Sequence, residues 1–262
     1  MNKNKIVVIT GASSGIGLAT AKKFLSHGHT VYGLSLGTVD QGFECFECDV
    51  TNTEKVAECL KTIFERHGRI DVFINNAGMG VSGAVEFVDK SKNQKQIGLN
   101  LEAMIDCSRQ VIPYMKKQGG GHIMFTSSVA SIIPLPFQAV YSASKAGVNL
   151  FCMALGIELA PFNIKVSAVL PGDTKTGFTA AREKVEIQEG YQNRVQKSVA
   201  RMEKDEQKGA SPDKVAAVFY AQANKKHPKP LVCVGFSYKL IAFLQKVLPT
   251  RFMLFIVKKL YG

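Results

Sequence analysis

Lys5-Ile-Val-Val-Ile-Thr10 runs without a break into Gly11-Ala-Ser-Ser-Gly15-Ile-Gly17, and the stretch Leu18–Leu25 follows directly. The first six residues form the apolar, β-branched run that a strand buried on both faces requires. Leu18–Leu25 holds neither Pro nor Gly and reads as a helix. A strand, a glycine turn and a helix N-terminus together make an anion site. Glycines let the backbone approach a pyrophosphate, and the first helical N–H groups face it. The spacing here is G-x-x-x-G-x-G. A phosphate loop for a nucleoside triphosphate would finish in Gly-Lys-Ser/Thr, whereas Leu18 follows Gly17.

Outward from this unit the same alternation repeats. Thr30–Ser35, Glu44–Cys48, Arg69–Ile74, Gly121–Thr126, Lys165–Leu170 and Pro230–Val234 read as further strands. Helices are expected over Thr53–Arg66, Gln96–Lys117 and Tyr141–Leu159. Strands alternating with helices predict an α/β fold, a doubly wound parallel sheet in one domain spanning 1–262. Ligands of such sheets gather beyond the carboxyl ends of the strands. The glycine turn, Asn75–Gly78, Ser128 and Pro171-Gly172 are therefore expected to meet in one crevice. His27, His29 and His67 flank helix ends and loops and read as solvated.

Chemistry enters with Tyr141-Ser-Ala-Ser-Lys145 and with Ser128, thirteen residues before the tyrosine. On a helix, Tyr141 and Lys145 project from one face, one turn apart. An ammonium at that distance favours the phenolate and lowers its pKa from about 10 toward the working range. A serine hydroxyl from a separate segment can hold a carbonyl or alcohol oxygen against the phenol. The three groups suit proton transfer to a C–O group. None can move a hydride, so a cofactor is required.

The chain resembles the short-chain dehydrogenase/reductase family. The likeness rests on Thr10–Gly17, Asn75–Gly78, Asn100, Ser128, the Tyr141/Lys145 pair and Pro171-Gly172 followed by Thr176, and it covers nearly everything to about residue 235. It implies a single Rossmann-type domain that binds NAD or NADP, usually as a homodimer or homotetramer. By the same resemblance Tyr141 is the general acid/base, Ser128 holds the substrate oxygen, and Lys145 tunes the tyrosine and bonds the nicotinamide ribose. Asn100 holds through its backbone a water that relays protons to Lys145. Gly11, Ser13, Ser14, Gly15, Ile16 and Gly17 line the pyrophosphate. Asp49 and Val50 meet the adenine, with Asn76, Ala77 and Gly78 along the adenosine side. Pro171, Gly172, Thr174 and Thr176 fix the carboxamide. The second strand ends in Ser35-Leu36, offering neither the Asp that binds the ribose hydroxyls of NAD nor the Arg that pairs with the extra phosphate of NADP. The missing carboxylate leaves room for a phosphate and leans toward NADP(H) over NAD(H).

With 262 residues and 46% hydrophobic composition, the chain can fill one large core. Met1-Asn-Lys-Asn-Lys5 runs straight into a strand and does not resemble a signal peptide. Cysteines stand at 45, 48, 59, 107, 152 and 233, a scatter that fits reduced thiols and a cytoplasmic location, with or without membrane association. Cys45-Phe-Glu-Cys48 has the letters of a metal or redox pair, but strand positions three apart point to opposite faces and no second pair completes a zinc site. No metal is expected.

The net charge of +12 is concentrated at one end. Residues 1–181 hold 17 Lys+Arg against 14 Asp+Glu, residues 182–262 hold 16 against 7, and no acidic side chain follows Asp213. Residues 173–211 read as a variable lid of one or two helices over the substrate. The apolar Ile132–Phe137 and Met79–Ser82 favour a hydrophobic ketone or alcohol. Residues 236–262 form a basic, apolar helical tail, with Leu240, Ile241, Leu244, Val247 and Leu248 on one face and a break at Pro249. It lacks the run of about 20 apolar residues that spans a bilayer. It suits a subunit interface or pocket flap, a peripheral contact with an anionic membrane, or an acidic partner such as an acyl carrier protein. Nucleic-acid binding is not expected, because its basic residues alternate with large apolar ones. The function expected is NAD(P)-dependent interconversion of an apolar ketone and its secondary alcohol. The alternative is a non-catalytic dinucleotide-binding sensor or scaffold, which would have no need of the Tyr and Lys.

Overall fold

The apolar runs of the sequence become parallel strands. The structure, a computed structural model, describes residues 4–37, 40–185, 190–191 and 193–262. Its strands are β1 (Ile6–Thr10), β2 (Thr30–Ser35), β3 (Glu44–Glu47), β4 (Val72–Asn75), β5 (Val81–Ser82), β6 (Gly121–Thr126), β7 (Ile164–Leu170), β8 (Glu183–Lys184) and β9 (Leu231–Cys233). The helices are α1 (Gly15–Leu25), α2 (Thr53–His67), α3 (Lys90–Ile97), α4 (Ala103–Lys117), α5 (Ala139–Leu159), α6 (Phe178–Ala181), α7 (Arg194–Gln207), α8 (Pro212–Ala223), α9 (Phe236–Val247) and α10 (Thr250–Tyr261).

Seven of the described strands form one sheet in the order β3-β2-β1-β4-β6-β7-β9, every pairing parallel. The winding reverses at β1, which lies between β2 and β4, and this places the binding crevice beyond its carboxyl end. Successive side chains of a strand face opposite layers. Ile6 and Val8 join Leu34, Phe73 and Phe125 in the core under α2, α4 and α5. Val7 and Ile9 join Ile74, Met124 and Val169 under α1 and α8. Phe73, Phe125 and Phe219 are fully buried, and truncating any one to alanine costs about 3–5 kcal/mol.

Local signals explain individual elements. Asn52 caps α2, its side chain accepting from Lys55 N at 2.9 Å, and Gly68 ends the helix at φ +66°. Between them Val56, Cys59, Leu60 and Ile63 repeat at helical spacing and are buried. α5 puts Lys145, Val148, Cys152, Leu155 and Leu159 toward the sheet. With the turn that follows, it is long and apolar enough to cross a membrane by length and composition, yet that inward face belongs to the core.

Several expectations need correction. The fourth strand starts at Val72, later than Arg69, because Arg69 pairs with Asp71, whose carboxylate also accepts from Ile6 N at 2.8 Å. The helix expected from Gln96 starts at Lys90 and is interrupted by one π-turn, Gly98–Glu102. α8 went unrecognised although Ser211-Pro212 is a fair start signal, with Pro in the first turn. The lid has its expected helices, α6 and α7, and also the short strand β8 paired with β5. Residues 186–189 and 192 of the lid lie outside the described residues. His29 is buried, not solvated, and accepts from Lys5 N at 3.2 Å. β3 ends at Glu47, one residue short of Cys48, which packs beside Cys59 of α2.

Candidate active site

The glycine turn is shaped by contacts that a side chain would destroy. Gly11 takes φ +65° and Gly15 +53°. A Cβ on Gly17 would lie 2.1 Å from Gly11 O. Ser14 occupies the N-cap of α1 in extended conformation without a side-chain cap bond, and no acidic residue stands in the first turn. The N–H groups over Gly15, Ile16 and Gly17 therefore lack a side-chain acceptor, which suits a pyrophosphate. Ser13 N donates to Ser35 Oγ at 3.2 Å, so the buried Ser35 hydroxyl braces the turn. Leu36, beyond it, is 74% exposed. Asp49 stands exposed beyond β3, its carboxylate accepting from Thr51 N and Oγ1 at 2.9 and 2.7 Å, and Val50 beside it is buried.

Asn76 spends its side chain on the protein itself. Its amide donates to Thr10 O and Gly11 O at 3.1 and 3.2 Å and accepts from Thr126 Oγ1 at 2.9 Å. The side chain is thus committed to tying β1, β4 and β6 together at their carboxyl ends. Thr10 Oγ1 accepts in turn from Asn76 N and Ala77 N. Gly78 lies beside the next pair of groups, since a Cβ there would be 3.0 Å from Asn100 Oδ1 and 3.6 Å from Lys145 Nζ. Asn100 is fully buried within the π-turn. Its amide accepts from Met79 N at 2.8 Å and donates to Met79 O at 2.9 Å, reproducing a strand's pairing with a side chain. A π-turn also takes backbone out of the regular helical ladder, which is where a relay through the Asn100 main chain would have to begin.

Ser128, Tyr141 and Lys145 come together. Ser128 lies two residues beyond the end of β6 and caps the short turn Val129–Ser131, its Oγ accepting from Ala130 N at 3.1 Å, and it is close enough to the phenol to lower its pKa. Lys145 Nζ is 6.0 Å from the centre of the Tyr141 ring and donates to Thr126 O at 2.9 Å. One expectation fails in this structure. Burial pushes the Tyr141 phenol above its ordinary value, Ser128 and Arg182 pull it back, and Glu206 adds to the rise. Lys145, whose ammonium donates to Thr126 O, is not among these influences. Burial also pushes Lys145 itself down to about 8.

The segment after β7 closes the crevice. Val129 N donates to Pro171 O at 2.8 Å, and Thr174 Oγ1 to Gly172 O at 2.9 Å. Thr176 stands opposite the glycine turn, where a Cβ on Gly15 would lie 3.5 Å from its own Cβ. Gly172 is covered by Tyr238 of α9, whose ring would be 2.1 Å from a Cβ at that position. The Tyr238 hydroxyl donates to Asp173 Oδ2 at 2.5 Å and accepts from Asp173 N at 2.9 Å.

Sequence reasoning missed the residues that the lid brings in. Phe178 lies 5.9 Å from Tyr141 between ring centres. Arg182, buried, pairs with Glu206, which also accepts from Thr179 Oγ1 at 2.5 Å. A charge in a polar lid carries no signal of burial, so nothing in the sequence marks Arg182. Ile132, Pro134, Leu135 and Pro136 do line a cavity of about 660 Å³, but its other walls include Ala139, Ser142, Ala143 and Ala146 of α5, Leu254 and Val257 of α10, and the charged Arg194 and Lys258. On a helix those α5 positions face away from Tyr141 and Lys145. The cavity is therefore separate from the space over the phenol, which Phe178 covers.

An uncapped helix N-terminus, a glycine turn without room for side chains and a buried Lys beside Ser and Tyr fit a nicotinamide dinucleotide. Comparison with known proteins agrees. The family model for short chain dehydrogenases matches residues 5–186. A 3-ketodihydrosphingosine reductase of Bacteroides thetaiotaomicron is 38% identical over 248 residues, 89% of this chain and 91% of its own. A 3alpha-hydroxysteroid dehydrogenase of Mediterraneibacter gnavus is 36% identical over 195 residues, 69% of this chain and 78% of its own. A short-chain dehydrogenase of known structure from Streptomyces avermitilis superposes with a TM-score of 0.83 at 27% identity, covering 94% of both chains. The chain belongs to the short-chain dehydrogenase/reductase family and is an NAD(P)-dependent oxidoreductase.

Proposed function

We propose that the protein interconverts a hydrophobic ketone and its secondary alcohol, with Tyr141 as the acid/base. The observation that carries this reading is the meeting of Ser128, Tyr141 and Lys145 at the carboxyl end of β6 and the start of α5. A bound nicotinamide coenzyme supplies or accepts the hydride. Ser128 Oγ, fixed by its bond from Ala130 N, holds the substrate oxygen by donating to it. In the reducing direction the Tyr141 hydroxyl gives its proton to that oxygen as charge develops on it, and in oxidation the phenolate takes the proton back. A phenol kept protonated by burial suits reduction. Lys145, one turn along α5 from the phenol and buried with its ammonium on Thr126 O, would bond the nicotinamide ribose. Phe178 excludes water above the phenol.

The apolar class of substrate is supported by the two relatives, a 3-ketodihydrosphingosine reductase and a 3alpha-hydroxysteroid dehydrogenase. A preference for NADP(H) rests on the end of β2, where Ser35 and Leu36 place no carboxylate against a ribose phosphate. Self-association into a homodimer or homotetramer is supported by Leu150, Met153 and Ile157, which stand exposed on the outer side of α5. The test is to titrate NADPH and NADH by fluorescence and then assay 3-ketodihydrosphingosine, steroids and simple ketones. NADPH should bind more tightly. Tyr141→Phe should keep coenzyme affinity and lose turnover by a factor of about 10² or more. Full turnover in that variant refutes the role of the tyrosine, and coenzyme binding with no turnover across the panel favours a sensor.

A further inference from the structure

The last two helices bury almost nothing. α9 contains no buried residue and α10 contains one, Val257. Along α9 the exposed residues Phe236, Leu240, Phe243 and Val247 follow at steps of four, three and four, which places them on one stripe. Phe236 is 82% exposed and Phe243 60%. α10 adds Phe252 and Phe255, three apart and also exposed. The inner sides are seated. Tyr238 rests on Gly172, and the Tyr261 hydroxyl lies 3.4 Å from Asp205 Oδ2, to which it donates. The helices therefore hold their place while presenting aromatic faces outward. Around those faces stand Lys239, Lys246, Arg251, Lys258 and Lys259. All are exposed, and no acidic side chain follows Asp213. Large exposed aromatic side chains rimmed by cations mark a site of interaction.

We propose that α9 and α10 dock the protein on the surface of an anionic lipid bilayer. The phenylalanines enter the boundary between headgroups and acyl chains, and the lysines and arginine meet the lipid phosphates. Charge decides against a second copy of this chain. A two-fold contact presents the same patch to itself, so a surface whose only charges are positive, those of Lys239, Lys246 and Arg251 among them, would meet another of the same sign, at a cost that like charges at an interface impose. An acidic protein would answer the charges but leave four phenylalanines without an apolar counterpart. The inference stands apart from the identity of the ketone.

The test is co-sedimentation of the full chain with vesicles of phosphatidylcholine alone and of phosphatidylcholine mixed with phosphatidylglycerol. The protein should pellet with the mixed vesicles about tenfold or more better than with the neutral ones, and less as salt is raised. A Phe243→Ser, Phe252→Ser, Phe255→Ser variant should lose binding to both. A Lys246→Glu, Arg251→Glu variant should lose the preference for phosphatidylglycerol. Both should keep the melting temperature and the turnover of a water-miscible ketone. Equal pelleting with both vesicles, or none, overturns the proposal. So does an oligomer that the serine variant dissociates without any vesicle binding, which would make the face a contact between copies. Capture by an acyl carrier protein without vesicle binding overturns it as well.

Discussion

Lowering the pH should unfold this protein from the end of the sheet opposite the active site. His122 is the second residue of β6 and is buried. Its Nε2 lies 2.8 Å from Ser167 Oγ, and its Nδ1 has no partner among the described residues. Burial, with Lys165 and Lys5 adding to it, pushes its pKa down to about 3. An unfolded histidine titrates near 6.5. The folded value is the lower one, so as pH falls the unfolded chain takes up the proton first. Stability is then complete above about pH 6.5 and is lost progressively toward pH 3. At pH 5 the unfolded group lies about 1.5 units above the solution pH, and at about 1.36 kcal/mol per unit the loss is about 2 kcal/mol. That is a sizeable part of the roughly 5–15 kcal/mol available to a folded domain. Urea denaturation at pH 7 and pH 5, on the wild type and on His122→Gln, measures it. The wild type should lose about 2 kcal/mol more than the variant between the two pH values. His29, also pushed down by burial, contributes equally to both proteins and cancels. Equal losses in the two proteins would refute the reasoning and show that His122 is protonated within the fold.

Two further outcomes follow from the site. Asn100→Ala removes both hydrogen bonds to Met79 and leaves a partly buried N–H and C=O unpaired. It should cost about 2–4 kcal/mol in denaturation and lower turnover more than coenzyme affinity. Gly17→Ala sets a Cβ 2.1 Å from Gly11 O and 2.6 Å from Asn76 Nδ2. The glycine turn and the brace between strands must both shift, so fluorescence titration should show coenzyme binding lost, along with about 1–3 kcal/mol of stability.

The sheet was legible because a strand buried on both faces must be apolar throughout, and Ile6–Ile9, Val72–Ile74 and Ile164–Leu170 are nearly so. Ser128, Tyr141 and Lys145 were legible because their chemistry depends on residue type and helical spacing. What escaped was set by tertiary contact. The direction of the Lys145 ammonium depends on Thr126 O, nineteen residues away in sequence. The burial of Arg182 depends on Glu206 and on the lid folding back over Phe178. The side of α5 on which the cavity opens depends on where α10 returns. None of these distances is written in local periodicity.

Tyr238 gives the C-terminus a grip on the middle of the chain. Its ring covers Gly172 and its hydroxyl holds both the amide and the carboxylate of Asp173. Any outward swing of residues 172 and 173 would carry the start of α9 with it. The segment after β7 and the C-terminal helices are thus mechanically joined through one side chain, so that loosening either end loosens the other.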